Sequence, residues 1–389
     1  MSGPDLSPIR TFLDERHATL AASVAAFAEH ELRHRAEPAD DAAARLEARA
    51  LLAAMGTAGA FASIGDMDWR GCCLAREALA AASPLADAVF ALQGLGLVPI
   101  LMSGNVAMRE RWAAATLDGR AMAAFAMTEP EAGSDVASLT TRARRVPAGS
   151  GSAEHYVLDG AKCFISNAGI ADYYTTFATL DPAAGSRGIS CFVVPADTPG
   201  LRFVRPQVLS APHPLGEIAF EGCRVPAANR LGEEGKGFAL GLKTLDRLRA
   251  TVGAAACGMA ARALAEALAH ARGRRQFGKP LAEFQLVQQK LARMATELTA
   301  ARLLVYRAAY AADGGAERVT LESAMAKLHA TEAAQHIVDD AVQVLGGQGV
   351  LASSVVDRLY RSVRGLRIYE GTSEVQHLVI AGLLLKGEA

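Results

Sequence analysis

The stretch FQLVQQKLARMATEL, residues 284–298, decides the fold class of the C-terminal part of the chain. Apolar side chains recur there at alternating steps of three and four residues, at Phe284, Val287, Leu291, Met294 and Leu298. This spacing places them along one side of an α-helix, as in the seam of a packed bundle. A second long helix is predicted over about residues 321–345, with two shorter helices after it. We therefore predict a C-terminal helical bundle domain over residues 231–389.

Upstream of this bundle, between about residues 121 and 230, the chain consists of short β-rich runs. The runs are HYVLDG, KCFISN, YYTTFATL, GISCFVVPAD, LRFVRPQV and GEIAFEGCRVP. Clusters of Gly, Pro, Asp and Asn separate them at spacings typical of antiparallel sheets. We predict an antiparallel β-barrel or sandwich domain over residues 121–230.

The first 120 residues are rich in alanine and carry apolar positions at helical spacing, with an interruption around Gly65 and Gly71. They predict an N-terminal all-α domain over residues 1–120. The predicted fold class is therefore α+β with three domains. A chain of 389 residues is long for a single core, which agrees with this division.

Charge and cysteine content exclude several classes of function. The 40 basic and 41 acidic residues are dispersed and the net charge is −1, so no surface for nucleic acid or an anionic membrane is expected. The six cysteines form no CxxC pair and no Cys/His ligand spacing, so we expect no metal site and a reducing compartment. The N-terminal stretch carries acids and prolines, and the apolar run at residues 378–385 is far shorter than the roughly 20 residues of a membrane span. We expect a cytoplasmic protein.

Two stretches at the start of the β section carry candidate binding groups. In AFAMTEPEAGSD, residues 124–135, the turn residues Thr128, Gly133 and Ser134 expose backbone N–H groups and hydroxyls. They form either a cradle for a polar ring or phosphate, or a structural turn. In KCFISNAG, residues 162–169, Phe164 and Ser166 point the same way on an alternating strand. This pair suits a flat aromatic ligand, or else it is a core phenylalanine beside a satisfied serine.

Two further stretches lie in the helical section. RGRRQFGKPLAEFQ, residues 272–285, is a basic cluster that marks either a solvated helix end or a guanidinium site for a pyrophosphate. QVLGGQG, residues 343–349, allows close backbone approach to a ligand, or it ends a helix. Near the C-terminus, LRIYEGTSEVQ places the carboxylate of Glu370 beside a Gly-Thr pair. A buried carboxylate is costly unless it is paired or used, so Glu370 is either a solvated turn residue or a base.

The five motifs MTEPEAGSD, KCFISNAG, RRQFGKPL, QVLGGQG and IYEGT occur in the order and approximate spacing of the acyl-CoA dehydrogenase family, which the chain resembles. The resemblance covers the chain from about residue 121 onward, and the N-terminal section matches in length and helical character. It implies that the C-terminal domain is a four-helix bundle. It also implies a homotetramer that binds FAD between the β domain and the bundle, with the adenosine end of FAD reaching a neighbouring subunit. It also implies oxidation of an acyl-CoA thioester, with electrons passed to an electron-transfer flavoprotein or a similar acceptor.

The resemblance implies a role for each matching residue in cofactor binding. The flavin and the thioester entrance would be lined by Phe125, Met127, Thr128, Gly133 and Ser134. Phe164 and Ser166 would pack on the flavin ring and approach its N5 edge. FAD of the partner subunit would be held by Arg274, Gln276, Phe277, Gln343 and Gly347. Thr372 and Glu374 would lie near the cofactor bound to the same chain.

The resemblance also implies the groups that act on the substrate. Substrate contacts would come from Ser134, Asp246, Arg249, Tyr369 and Gly371. A surface ion pair on a helix is the alternative for Asp246 and Arg249. Glu370 would remove the α proton while hydride passes from the β carbon to flavin N5, and its own backbone N–H would hold the thioester oxygen. Some family members place the base one position before the matching arginine, but Leu248 occupies that position here.

Departures from the family pattern leave the substrate class open. Phe164 and Ser166 stand where Trp and Thr are usual, and Gln276 and Phe284 replace a hydroxyl and an imidazole. The loop SAPHPLGE, residues 210–217, also departs from the common sequence. Asp87 is expected to be an exposed acid rather than an anchor for a dicarboxylic substrate. The alternatives in function are an acyl-CoA oxidase that uses oxygen, a non-catalytic flavin-binding relative, and a flavin monooxygenase of the same fold.

Overall fold

A computed structural model describes residues 4–149 and 153–387 of the chain. Within it the chain forms two compact units. The helical unit comprises Met1–Arg35, Asp68–Asp87 and Asp246–Ala389, and the sheet unit comprises Ala36–Met67 and Ala88–Leu245. Each unit gathers segments from more than one of the three predicted sections, so the domain boundaries near residues 120 and 230 stay a prediction.

Helices occupy both ends of the described chain. In chain order they are α1 (Glu15–Phe27), α2 (Asp41–Thr57), α3 (Ala62–Gly65), α4 (Trp69–Ala82), α5 (Pro84–Met102), α6 (Val106–Leu117), α7 (Gly237–Gly273), α8 (Gln285–Asp313), α9 (Thr320–Leu345), α10 (Val355–Leu366) and α11 (Ser373–Leu385). Several begin at a side chain that accepts a backbone N–H, such as Asp40 from Ala43 at 2.8 Å and Asn105 from Met108 at 3.0 Å. The predicted helices at both ends, including the two short ones after residue 345, are confirmed.

Strands occupy the middle of the chain. In chain order they are β1 (Ala123–Ala126), β2 (Arg142–Val146), β3 (His155–Ser166), β4 (Tyr173–Thr179), β5 (Ile189–Pro195), β6 (Leu201–Pro206), β7 (Leu215–Pro226) and β8 (Arg230–Leu231), followed by a hairpin of β9 (Arg275–Gln276) and β10 (Lys279–Pro280). The main sheet has the order β6-β7-β3-β2-β4-β5-β8, and β1 pairs with β4. An α+β fold with a central β domain is therefore confirmed.

The sheet differs from the predicted antiparallel one in being mixed. β1 runs parallel to β4, as β2 does at its single pairing with β4. Parallel neighbours need a long crossover connection, and the β2–β3 segment between β1 and β4 supplies it. The runs HYVLDG and KCFISN form one strand, β3. Gly160 joins them with φ 148° and lies close to Thr141. A Cβ at position 160 would lie 2.8 Å from the Thr141 Cα, so glycine allows this close approach.

Aromatic residues fill the core of the sheet unit. The Tyr156 and Phe192 rings have centroids 4.9 Å apart, and both side chains are buried. In the helical unit, the predicted stripe on α8 is buried at Met294 and Leu298 but only half-buried at Phe284, Val287 and Leu291. The first turns of α8 are therefore only partly covered within one chain.

Two helices, α5 and α7, are long and apolar enough to cross a bilayer by length and composition alone. Their most apolar windows are 78% and 61% buried inside the fold. Core helices of globular proteins pass the same test, so this is weak evidence for a membrane span.

Candidate active site

The loop between α10 and α11 holds Glu370 in an uncommon backbone conformation. Glu370 has φ 54° and Gly371 has φ 91°, so two consecutive residues are left-handed. For a residue with a Cβ this conformation costs on the order of 1–3 kcal/mol and persists only where its surroundings enforce it. A Cβ at position 371 would lie 2.3 Å from the Gln376 Nε2 atom, so the amide would have to move, and the left-handed φ of this residue also favours glycine.

Side chains from three helices bind the carbonyl groups of this loop. Lys327 Nζ on α9 donates to the Gly371 carbonyl at 2.7 Å, and Gln376 Nε2 on α11 donates to the same oxygen at 3.1 Å. Arg249 Nε on α7 lies 3.5 Å from the Glu370 carbonyl oxygen. These contacts hold the carbonyl groups of the strained loop in place.

Both ends of the loop are also anchored. On its N-terminal side Arg367 Nε donates to Glu332 on α9 at 2.8 Å, and on its C-terminal side Ser373 Oγ donates to the same carboxylate at 2.5 Å. On its C-terminal side Thr372 caps α11 by accepting the Val375 N–H at 3.2 Å, and Glu374 lies exposed in the first turn. The predicted cofactor residues Thr372 and Glu374 therefore follow Glu370 in sequence and belong to the start of α11.

Burial and several nearby charges act on the carboxylate of Glu370. Burial raises its pKa, the cations of Arg76, Arg249 and Lys327 lower it in part, and Asp87 adds to the rise. Its Oε2 atom is buried and accepts no hydrogen bond, and its backbone N–H donates to no residue that the structure describes. A buried polar group without a partner is costly, so an acceptor and a donor side by side indicate a ligand site.

Asp87 is not the exposed acid that the sequence predicts. It is 2% exposed and forms a two-pronged ion pair with Arg76, at 2.7 and 2.9 Å. Arg76 also donates to Thr251 Oγ1 at 2.9 Å. Burial disfavours the charged guanidinium, but Asp87 outweighs it and raises the pKa of Arg76. Both oxygens of Asp87 are therefore engaged by one arginine.

Asp246 and Arg249 are likewise not a surface ion pair. Arg249 is buried and donates to Asp246, which also accepts the Thr320 hydroxyl at 2.6 Å. This pairing holds the Arg249 guanidinium beside the Glu370 carbonyl. Tyr369, by contrast, is 45% exposed, so its ring does not by itself cover the carboxylate.

The sheet unit brings the first two motifs together. Phe125 lies on β1 with its ring centroid 5.0 Å from that of Phe177, and Met127 follows it, buried. The Thr128 carbonyl accepts the Cys163 N–H at 3.1 Å, which joins the TEPEAGSD turn to β3. Gly133 and Ser134 lie exposed within this turn.

A buried ion pair supports this junction. Lys162 is fully buried, and its Nζ donates to Glu129 at 2.8 Å and to the Met127 carbonyl at 3.1 Å. Glu129 also accepts the N–H groups of Thr140 at 2.6 Å and Thr141 at 2.9 Å. Burial raises the pKa of Glu129, but Lys162 and these hydrogen bonds outweigh it and hold the pKa at about 2. The turn is thus tied to β2 and β3 through one ionised carboxylate.

Phe164 lies at a bulge in β3. The β3–β7 register shifts between Lys162 and Ile165, and Phe164 has φ 54°, so the expected alternation with Ser166 is interrupted. Its backbone N–H is bound by Gln207 Oε1 at 2.6 Å, and its ring is 60% exposed. Bulges of this kind re-aim a side chain, here towards solvent. Ser166, two residues on, is half-buried and its Oγ lies 2.8 Å from His213 Nε2.

Residues predicted to hold the partner subunit's FAD are all exposed. They are Arg274, Gln276, Phe277, Gln343 and Gly347. Phe277, at the tip of the β9–β10 hairpin, is 91% exposed with φ 48°. The Phe277 ring is therefore accessible to another molecule.

One group of possible metal ligands, His17, Asp68 and Asp313, occurs among the described residues. Its atoms are used within the fold: His17 Nδ1 accepts the Asp14 N–H at 3.0 Å, and its Nε2 lies 3.1 Å from Asp68. Asp313 accepts the Trp69 N–H at 2.8 Å and the Arg70 Nε at 2.6 Å. The cluster therefore binds the first residues of α4 to the rest of the helical unit.

Comparison with known proteins gives the class of this chain. Models of the acyl-CoA dehydrogenase N-terminal, middle and C-terminal domains match residues 14–120, 124–223 and 235–385. The probable acyl-CoA dehydrogenase FadE25 of Mycobacterium tuberculosis H37Rv is 36% identical over 384 residues, 96% of each chain. The chain belongs to the acyl-CoA dehydrogenase family. It is thus an FAD-dependent oxidoreductase, and its cofactor is FAD.

Solved structures agree with this assignment. Butyryl-CoA dehydrogenase from Megasphaera elsdenii is 34% identical with a TM-score of 0.88, over 96% of this chain and 99% of that one. A chain in the structure of the electron-transferring flavoprotein of Acidaminococcus fermentans is also 34% identical, with a TM-score of 0.90 over 96% and 99% of the two chains.

Several residues near these motifs were missed by the sequence reasoning. Arg76, Lys162 and Lys327 each stand as a single cation within an apolar run: CCLAREALA, AKCFIS and AMAKLHA. A buried charge must be paired, so a lone cation in such a run is a usable signal. His213 lies between two prolines in a loop rather than within an apolar run, so this pattern could not have identified it.

Proposed function

We propose that this protein oxidises an acyl-CoA thioester at its α,β bond, with Glu370 as the base. The observation that carries the proposal is the buried, unpartnered Oε2 of Glu370 beside a backbone N–H that has no described partner. Bound FAD supplies the acceptor for the hydride that leaves the β carbon. The α proton goes to the Glu370 carboxylate, and the electron pair of the broken α C–H bond forms the new C=C bond.

The backbone N–H of Glu370 serves the second half of this chemistry. Negative charge develops on the thioester oxygen as the α proton leaves, and a preorganised donor at that oxygen stabilises it. The left-handed conformation at residues 370 and 371 fixes that N–H and the carboxylate in one rigid loop. Arg249 and Lys327 hold the two carbonyls, so the loop cannot rotate either group away.

The sheet-unit motifs fit a flat cofactor with a polar edge. Phe164 offers an exposed ring, Ser166 a hydroxyl and the residues after Thr128 an open turn. We assign the isoalloxazine contacts to Phe125, Met127, Thr128, Gly133, Ser134, Phe164 and Ser166. Contacts to the acyl-CoA come from Ser134, Asp246, Arg249, Tyr369 and Gly371 in this proposal.

The test of this function is reduction of the bound flavin by substrate. The purified holoprotein is mixed anaerobically with a panel of straight-chain, branched, cyclic and aromatic acyl-CoA thioesters. Loss of the oxidised flavin absorption with at least one of them supports the proposal, and the panel identifies the acyl group. If no acyl-CoA bleaches a fully loaded flavin, the non-catalytic reading is correct instead.

An electron-transfer flavoprotein is the proposed electron acceptor, supported by the similarity to a chain in the Acidaminococcus fermentans structure. The alternative is an oxidase, in which oxygen reoxidises the reduced flavin directly. Turnover with a purified electron-transfer flavoprotein, set against turnover with oxygen alone, separates the two. We further propose a cytoplasmic location, in line with the six free cysteines among the described residues.

Replacing Lys327 with Met should move the acid limb of the rate–pH profile to higher pH. Lys327 is fully buried and is one of three cations that lower the pKa of Glu370. Without its charge that pKa rises, so the base becomes protonated, and inactive, at a higher pH than in the parent. The measurement is the rate of flavin reduction by acyl-CoA across the acid and neutral range. Lys243→Met, at an exposed position, is the control, and an unshifted limb in Lys327→Met would contradict the assignment.

We propose a homotetramer whose FAD sites are completed by the hairpin of a partner subunit. Support comes from the exposed Phe277 ring and the half-covered first turns of α8. Replacing Arg274 with Ala should weaken FAD retention by about 1.5–3 kcal/mol, the range for a hydrogen bond to a charged group. FAD dissociation is measured by fluorescence and the assembly by sedimentation. Arg318→Ala, elsewhere on the surface, is the control, and a monomer with full FAD content would refute the shared site.

A further inference from the structure

Ser166 Oγ has a specific partner in a loop that departs from the family pattern. His213 Nε2 lies 2.8 Å from it, and His213 stands between Pro212 and Pro214. Proline fixes its own φ and restricts the residue before it, so the imidazole is presented from a stiff segment.

The segment is also tied to the strand that carries Ser166. The Asn167 N–H donates to the Pro214 carbonyl at 2.9 Å, and Leu215 pairs directly with Ser166 in the β3–β7 ladder. Arg45 Nη2 on α2 donates to the Leu215 carbonyl at 2.8 Å. The distance between His213 and Ser166 is therefore set by the sheet rather than by a free side chain.

The His213 ring is neutral at working pH. Burial lowers its pKa, the charge of Arg45 lowers it further, and Asp41 opposes this only in part, so the pKa is about 4. A neutral imidazole has one N–H donor and one acceptor nitrogen. Nε2 can therefore donate to the Ser166 hydroxyl in one tautomer or accept from it in the other.

We propose that His213 is a positioning residue that orients the Ser166 hydroxyl towards the flavin and lets its hydrogen-bond direction reverse. This inference rests on the proposed assignment of Ser166 to the flavin. When Nε2 donates to Oγ, the serine O–H is free to donate to an unprotonated flavin nitrogen. When Nε2 accepts, the serine O–H points to His213 and a lone pair is free to accept from a protonated flavin nitrogen. One pair thereby suits both the oxidised and the reduced ring.

A double-mutant cycle on FAD binding tests this role. His213→Ala, Ser166→Ala and the double variant are stripped of FAD and titrated with FAD, by fluorescence, under oxidising and under reducing conditions. Each single variant should bind FAD more weakly by roughly 2- to 12-fold, the range for a lost hydrogen bond. The double variant should equal Ser166→Ala, because His213 acts only through that hydroxyl. His213→Gln, whose amide both donates and accepts, should restore part of the affinity.

The controls separate positioning from folding and from the reaction itself. His155→Ala, on the same strand with its ring at the Ala153 carbonyl, should bind FAD like the parent. If His213→Ala fails to fold, the comparison of His213→Gln with Ser166→Ala carries the test. If the fold-losses of FAD affinity in the two single variants multiply in the double variant, the proposal is overturned. The mutant cycle measures FAD binding without acyl-CoA, so its outcome is independent of the proposed function. The role of His213 can be refuted while acyl-CoA still bleaches the wild-type flavin. It can also be supported when no acyl-CoA bleaches that flavin.

Discussion

Replacing Glu370 with Gln should leave the flavin bound but slow its reduction by acyl-CoA by at least about 10⁴-fold. General-base catalysis typically contributes about 10²–10⁴-fold, and no second carboxylate is available at position 248, which is leucine. The amide keeps the shape of the side chain and can still accept a hydrogen bond, but it cannot take the α proton. Rapid mixing with the best substrate of the panel gives the rate.

The backbone of the loop should survive this substitution. Lys327, Arg249 and Gln376 bind its carbonyl groups and not the Glu370 side chain, so the left-handed turn stays enforced. Binding of a product or substrate analogue should therefore change little. Glu266→Gln, which alters a carboxylate paired with Arg262 on α7, is the matched control. Flavin reduction at a near-parental rate in Glu370→Gln would place the base elsewhere.

Replacing Lys162 with Met should destabilise the sheet unit by about 3–5 kcal/mol. Removing one partner of a buried ion pair leaves the other charge uncompensated, and Glu129 is 3% exposed. The Met127 carbonyl loses its donor at the same time. The turn that begins at Thr128 should loosen, so FAD should be released at a lower temperature than from the parent. Thermal release of FAD fluorescence, together with circular dichroism, measures both effects.

A second variant distinguishes charge from shape. The double variant Glu129→Gln/Lys162→Met has neither charge, so much of the lost stability should be recovered. The recovery should be incomplete, because the Thr140 and Thr141 N–H groups then donate to a neutral amide instead of a carboxylate. Arg205→Met removes an exposed ion pair with Glu217 in the same unit and should change stability little. If Lys162→Met unfolds at the parental temperature, the pair does not brace the turn.

The fold was largely predictable because the spacing of apolar residues along the sequence indicates helices and strands that bury one face. The stripe of α8 and the β-rich runs of residues 155–226 are examples. β1 was missed since AAFA is short and nearly all buried, so it carries no alternation of apolar and polar residues. The parallel pairing of β1 depends on contacts across some fifty residues of sequence, which no local pattern encodes.

Parts of the site were predictable for a different reason. Glu370 is predicted as the base by the match of IYEGT to the family motif, since the local sequence leaves a solvated turn residue and a base both open. The structure adds the strain and the three cations around it. The exposed ring of Phe164 depends on a bulge, and a one-residue shift of register leaves no trace in composition. Asp87 was placed at the surface because its partner, Arg76, lies in another helix.

The division into two interleaved units has a consequence for biosynthesis. Translation proceeds from the N-terminus, so every segment of the sheet unit has been made once Leu245 is added. The helical unit then still lacks Asp246–Ala389, and at about 5–20 residues per second this takes on the order of ten seconds. During that interval α1 and α4 have only each other to pack on, because α8, which also packs against α4, has not yet been made. Arg76 and Asp87 are synthesised long before Glu370, so their ion pair can form before the Glu370 carboxylate that it affects has been made.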